Sequence, residues 1–210
     1  MLVKHKMTAN PITVTPNQTI SEVLDLMSTH DIHRLPVVDG NKLVGLVTQG
    51  VVQENSPSHL TTLSIHEMNY LLSKTKVKDI MIKKVFTVGP DALIEAAADL
   101  MQTQDIGCLP VVGENQVLLG IITIGDILDA FVDFFGYHEP GTRVVLEVKE
   151  DKVGALAAVA EVFAKANISI SHFIVSAART HEFVLRVAET DKKKVEKLLE
   201  SAGYSVISVS

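Results

Sequence analysis

Apolar positions along the chain alternate between two periods. Ile20, Val23, Leu24 and Met27 stand at i, i+3, i+4 and i+7, one face of a 3.6-residue helix. Thr19, followed three positions later by Glu22, supplies a capping box at its start. The same stripe returns as Ile94, Ala97, Ala98 and Met101. After it the pattern changes to short β-branched runs, Leu109 to Val112 and Val117 to Thr123, which predict strands. A further helix is predicted from about Asp126, an acid well placed in a first turn against the positive end of the helix dipole.

The recurrence is an internal repeat. Met7-Thr-Ala-Asn-Pro-Ile-Thr-Val-Thr-Pro16 aligns with Met81-Ile-Lys-Lys-Val-Phe-Thr-Val-Gly-Pro90, and Asp25-Leu-Met27 with Asp99-Leu-Met101. Asp31-Ile-His-Arg-Leu-Pro-Val-Val38 aligns with Asp105-Ile-Gly-Cys-Leu-Pro-Val-Val112, and Gly45-Leu-Val-Thr48 with Gly120-Ile-Ile-Thr123, with one inserted residue on the way. Each unit reads as strand, helix, strand, strand, helix in about 50 residues, too few to bury both faces of its sheet alone, so the two should pack together. The expected boundaries are 4–55 for the first repeat and 77–135 for the second. Between them 56–76 is an insertion, where Leu60, Leu63, Ile65, Met68, Leu71 and Leu72 predict a short helix covering an edge.

A turn-rich boundary, His138-Glu-Pro-Gly-Thr142, then opens a third region, 143–210. Val144, Leu146 and Val148 alternate as a strand, Leu156, Val159, Ala160 and Phe163 keep helical spacing, and Ile168, Ile170 and Phe173 to Val175 return to strand. Phe183 to Val187, a helical stripe of Val195, Leu198, Leu199 and Ala202, and Tyr204 to Val209 complete a ferredoxin-like βαββαβ order. The fold class expected is mixed α/β (α+β).

Composition narrows the function. With 47% hydrophobic and 21% charged residues the chain has ordinary globular usage. Its apolar runs are strand-sized, so no membrane span is expected. Met1 to Met7 has no apolar core of signal-peptide length, and one cysteine permits no internal disulfide, which favours the cytoplasm. A net charge of -6 has the wrong sign for nucleic acid binding. Lys192 to Lys194 lies among Glu189, Asp191, Glu196 and Glu200 and reads as a solvated helix face. No catalytic motif is present, the eight histidines lack metal-site spacing, and Cys108 reads as a small buried apolar residue. A non-catalytic protein without metal is expected.

The duplicated units resemble the CBS-domain family, two repeats of which form a module that binds adenine nucleotides or adenosyl compounds. The resemblance rests on Gly-hydrophobic-hydrophobic-Thr-x-x-Asp, intact as Gly120-Ile-Ile-Thr-Ile-Gly-Asp126. Gly120 would let the backbone approach a ligand, Thr123 would offer a hydroxyl, and the Asp126 carboxylate suits a vicinal ribose diol. Thr123 and Asp126 also make an ordinary helix cap. The resemblance further assigns Thr87, Val88 and the Leu109-Pro110 segment to an adenine slot. Repeat one departs from the pattern: Val51 replaces the carboxylate, while His33-Arg34 stands where repeat two has Gly107-Cys108. By resemblance His33 and Arg34 contact phosphate, which gives one composite site with ribose on Asp126 and phosphate on Arg34; the alternative is that Arg34 pairs with Asp31 or Asp39.

The C-terminal region, with Asp151-Lys-Val-Gly-Ala-Leu-Ala157 at its first turn, resembles an ACT domain, although Val153 stands where the common form has Pro. The resemblance makes Gly154 and Ala155 contacts for a small ligand's carboxylate; a plain turn glycine is the other reading. The order of the three regions resembles that of AcuB-type acetoin-utilisation proteins. The function expected is a regulatory sensor of AMP, ADP, ATP or S-adenosylmethionine. Its ACT region would read a second small molecule or hold a homodimer together, and its partner would be a target enzyme. The alternative is an oligomerisation scaffold with a vestigial nucleotide site.

Overall fold

A computed structural model describes residues 1–55, 65–148, 153–176 and 182–210. Of the insertion helix expected from the sequence, Leu60 and Leu63 lie outside the described residues, as do Asp151 and Lys152 of the C-terminal motif. The chain forms two compact units, Met1–Leu128 and Asp129–Ser210.

In the first unit, β1 (Thr8–Ala9), α1 (Ile20–His30), β2 (Arg34–Asp39), β3 (Lys42–Thr48) and α2 (Gln49–Glu54) come from the first repeat. After α3 (Ile65–Lys74) and α4 (Val77–Ile80), the second repeat gives α5 (Ile94–Thr103), β4 (Cys108–Val112), β5 (Leu118–Thr123) and α6 (Ile124–Phe134), inside which the division between units falls. α1 begins with the expected capping box: Thr19 Oγ1 accepts from the Glu22 amide and the Glu22 carboxylate accepts from the Thr19 amide. β2–β3 and β4–β5 are antiparallel hairpins, each with a register shift at the same repeat position, Val37/Val38 and Val111/Val112. α3 packs on α1, with Leu72 against the core beneath.

The lead-in segments are exchanged between repeats. β1 pairs with β5 of the second repeat, Thr8 opposite Ile121 and Ala9 opposite Gly120. In return Ile82, at the start of repeat two, pairs with Leu46 of β3. The backbone bonds show the same reciprocity: the Val3 N–H donates to the Ala92 carbonyl at 2.9 Å and the Val77 N–H to the Gln18 carbonyl at 2.9 Å. Val77 is buried in the core of repeat one, with Ile20, Val23, Met27 and Leu35, and Val3 in that of repeat two, with Ala97, Met101, Leu109 and Ile122. The opening segment of each repeat therefore completes its neighbour. Each apolar face is too small to be closed from its own 50 residues, and the exchange closes both.

The second unit contains β6 (Thr142–Glu147), α7 (Ala155–Lys165), β7 (Ile170–Ser176), β8 (Glu182–Val187), α8 (Lys192–Ser201) and β9 (Ser205–Val209). The antiparallel sheet runs β7-β8-β6-β9, the ferredoxin-like order. β8 alternates strictly, with Phe183, Leu185 and Val187 turned into a core that also buries Val144, Leu146, Phe163, Val195 and Leu199. Asp191 caps α8, its carboxylate accepting from the Lys193 and Lys194 amides.

Candidate functional site

Thr123 ends β5, and its hydroxyl caps α6 by accepting from the Asp126 amide at 3.4 Å. Asp126 answers with Oδ2, which accepts from the Thr123 amide at 2.7 Å and the Thr123 hydroxyl at 2.9 Å. The capping role is thus realised, and the half-buried carboxylate keeps Oδ1 for a further donor. In repeat one Thr48 makes the same cap to the Val51 amide at 3.2 Å, but Val51 has no oxygen to return the bond.

The exchange of lead-in segments creates two related clefts. A cleft of about 360 Å³ is lined by Thr8, Asn10, Pro11 and Ile12, by Asp31 to Arg34, and by Ile121 and Thr123. A larger one, about 600 Å³, has the counterpart elements: Thr48 to Gly50, Ile82, Lys84 to Phe86 and Asp105 to Cys108. His33 and Arg34 line both. Among the described residues Arg34 makes no ion pair, with Asp31, Asp39 or any other acid, so its exposed guanidinium stands open to a ligand.

Thr123, His33 and Arg34, assigned from the sequence, therefore meet on the smaller cleft, with Asp126 bonded to Thr123. Thr87, Val88, Leu109 and Pro110 do not join them and line neither cleft. Leu109 is fully buried in the core of repeat two, Val88 packs against that core, and the Val88 amide is spent on the Pro110 carbonyl. The exchange is the reason: the lead-in chain facing Thr123 is Thr8 to Ile12, from the other repeat. Gly120 also needs another explanation. A Cβ there would stand 2.6 Å from Met7 Sδ and 2.9 Å from the Thr8 carbonyl oxygen, so the glycine admits β1, not a ligand. Sequence reasoning missed Asn10, Pro11 and Ile12 on one cleft and Lys84, Val85 and Phe86 on the other. Their signal was present, since both triplets occupy the same repeat positions.

The sequence matches the CBS domain family over residues 3–52 and 77–133, half of the chain. The chain belongs to the CBS-domain family. Residues 142–204 match the ACT domain family, and both are regulatory modules. The CBS pair is similar to the solved acetoin utilization protein AcuB from Vibrio cholerae, 32% identical with a TM-score of 0.55, covering 66% of this chain and 96% of that one. It is similar to CBSX2, solved in complex with AMP, at 30% identity and a TM-score of 0.52, covering 63% of this chain and 96% of that one. The CBS pair of protein MJ0100, solved with 5'-methylthioadenosine and S-adenosyl-L-methionine, is 29% identical with a TM-score of 0.52, covering 63% of this chain and 97% of that one. Inosine-5'-monophosphate dehydrogenase of Methanocaldococcus jannaschii is 31% identical over 204 residues, 93% of this chain and 35% of the enzyme. The chain thus spans about a third of that relative's length.

On the larger cleft of the CBS pair Cys108 is buried, which pushes its thiol pKa up, while the nearby Arg34 charge pulls the other way. In the ACT region Gly154 caps α7 at φ +93°, in the left-handed region. Gly154 and Ala155 line a separate cleft of about 460 Å³ with Glu147, Ala158, Phe183 and Tyr204. Among the described residues no group of His, Cys, Asp and Glu could hold a metal, and no helix is long and apolar enough to cross a membrane.

Proposed function

We propose that this chain is a non-catalytic regulatory sensor whose CBS pair binds an adenine nucleotide or adenosyl compound in the smaller cleft. The ribose diol bonds to Asp126 and Thr123, and phosphate bonds to Arg34 and His33. The observation that carries the reading is the meeting on one cleft of Thr123, tied to Asp126, with an Arg34 from the other repeat that makes no ion pair among the described residues. The complexes of CBSX2 with AMP and of MJ0100 with two adenosyl compounds support the ligand class.

In this reading 4–55 and 77–135 are the sensing repeats, 56–76 joins them, and 143–210 either takes a second small molecule at Gly154 and Ala155 or holds a homodimer. The protein acts in the cytoplasm on a target enzyme, and likeness to AcuB supports a place in acetoin utilisation. Calorimetric titration of ligand-free protein with AMP, ADP, ATP and S-adenosylmethionine tests it. The expected Kd lies between about 1 µM and 1 mM, weakened at least about tenfold in Asp126→Ala. No heat with any of the four overturns the reading.

One observation favours a second reading, an oligomerisation scaffold: Phe131 and Phe134 of α6 are 60% and 59% exposed. A dimer in light scattering that Phe131→Ser dissociates, in a protein without nucleotide affinity, would select it.

A further inference from the structure

Arg34 and Gly107 come from different repeats, one residue out of register with each other. His33-Arg34 in the first repeat corresponds to Gly107-Cys108 in the second. The Arg34 guanidinium lies across Gly107: a Cβ built on that glycine would meet Nη2 at 2.5 Å, Cζ at 3.3 Å and Nε at 3.5 Å, and these are its three nearest neighbours. A second histidine at 107, as in repeat one, would occupy that space. Both clefts have Arg34 in their walls, and Gly107 lies in the wall of the larger. Gly107 does not have a left-handed φ, so neither backbone conformation nor core packing explains why a side chain is missing there.

We propose that Gly107 is the positioning residue for phosphate recognition: by carrying no side chain it lets the single guanidinium of Arg34 lie in the wall common to both clefts. The proposal rests on the adenosyl-binding reading and adds to it the residue that sets phosphate preference. Arginine binds phosphate through a planar fork, so its use depends on where the plane lies as well as on its charge. A methyl group at 107 displaces the far end of a flexible side chain, which costs the fold little and moves the fork.

The test compares AMP with adenosine, which differ only in the phosphate, by calorimetry on the full chain. Wild type is expected to prefer AMP by about tenfold or more, and Arg34→Ala to lose that preference. Gly107→Ala is expected to lose most of it while keeping wild-type adenosine affinity. In the double variant Gly107→Ala has no further effect, because its partner is already gone. A Gly107→Ala protein with the wild-type AMP preference, or a wild type with no preference, overturns the proposal and leaves adenosyl binding standing. Failure of wild type to bind either compound overturns both. If Gly107→Ala does not fold, the double variant decides: recovery of cooperative unfolding supports the contact with Arg34, and continued unfolding overturns it.

Discussion

Leu46 and Ile82 exchange both of their backbone hydrogen bonds, Leu46 N–H to Ile82 O at 3.0 Å and Ile82 N–H to Leu46 O at 2.9 Å. The segment that opens repeat two thereby closes the sheet of repeat one, as β1 closes that of repeat two. Neither repeat has its own complete edge, so the two fold as one unit, and each cleft is walled by both.

The crossing segments run directly over two glycines. A Cβ on Gly45 would meet Met81 Sδ at 2.6 Å and the Ile82 carbonyl oxygen at 3.0 Å, matching the contacts over Gly120. A carbonyl in a sheet cannot yield as a side-chain tip can. Gly45→Ala and Gly120→Ala are each expected to destabilise by about 1–3 kcal/mol in urea unfolding. Gly50→Ala in α2, whose Cβ meets only Thr48 Oγ1 at 3.9 Å, is expected to stabilise instead by up to about 1 kcal/mol through helix propensity.

Hydrogen bonds from the Thr19 amide, at 2.6 Å, and the Thr19 hydroxyl hold the Glu22 carboxyl below the usual carboxylate range. A depressed folded pKa stabilises above the ordinary glutamate pKa and is lost as pH falls through the folded value. Glu22→Gln is therefore expected to lower the urea midpoint at pH 7, with the gap to wild type closing below about pH 4. A gap unchanged between pH 7 and pH 3 would contradict the capping account. Thr19→Ala is expected to cost about 1 kcal/mol at neutral pH.

Cys108 is 4% exposed, and burial raises its thiol pKa against the pull of Arg34. The folded protein is expected to react with a thiol reagent far more slowly than the unfolded chain at pH 8. Arg34→Ala removes the one opposing influence and should slow the reaction further. Stopped-flow measurement across pH checks both, and a faster Arg34→Ala protein would show that access, not charge, controls the thiol.

Val51 occupies in α2 the place that Asp126 holds in α6, with the same hydroxyl cap before it. Val51→Asp is expected to supply the missing ribose acceptor on the larger cleft and raise the calorimetric stoichiometry for adenosine from one to two per chain. Retention of one site would show that Lys84, Phe86 and their neighbours do not form an adenosyl pocket.

Local order was legible in the amino-acid sequence because its causes are local. The Thr19–Glu22 box, the Ile20 to Met27 stripe and the period-2 pattern of Phe183 to Val187 act within one or two turns or along one strand, so helix starts and the βαββαβ order followed from spacing. The duplication was legible for the same reason, as was the Thr123–Asp126 pair. Only the tertiary structure decided which residues face them. Thr8 meets Ile121 across more than a hundred residues through backbone groups common to every amino acid, so no side-chain pattern marks the partner. That exchange put Asn10 to Ile12 beside Thr123, while Leu109 lies fully buried in the core of repeat two. It also laid Met7 over Gly120, and the guanidinium of Arg34 lies over Gly107 from the other repeat. The sequence determined the parts and their chemistry, and long-range burial of two incomplete cores determined how they meet.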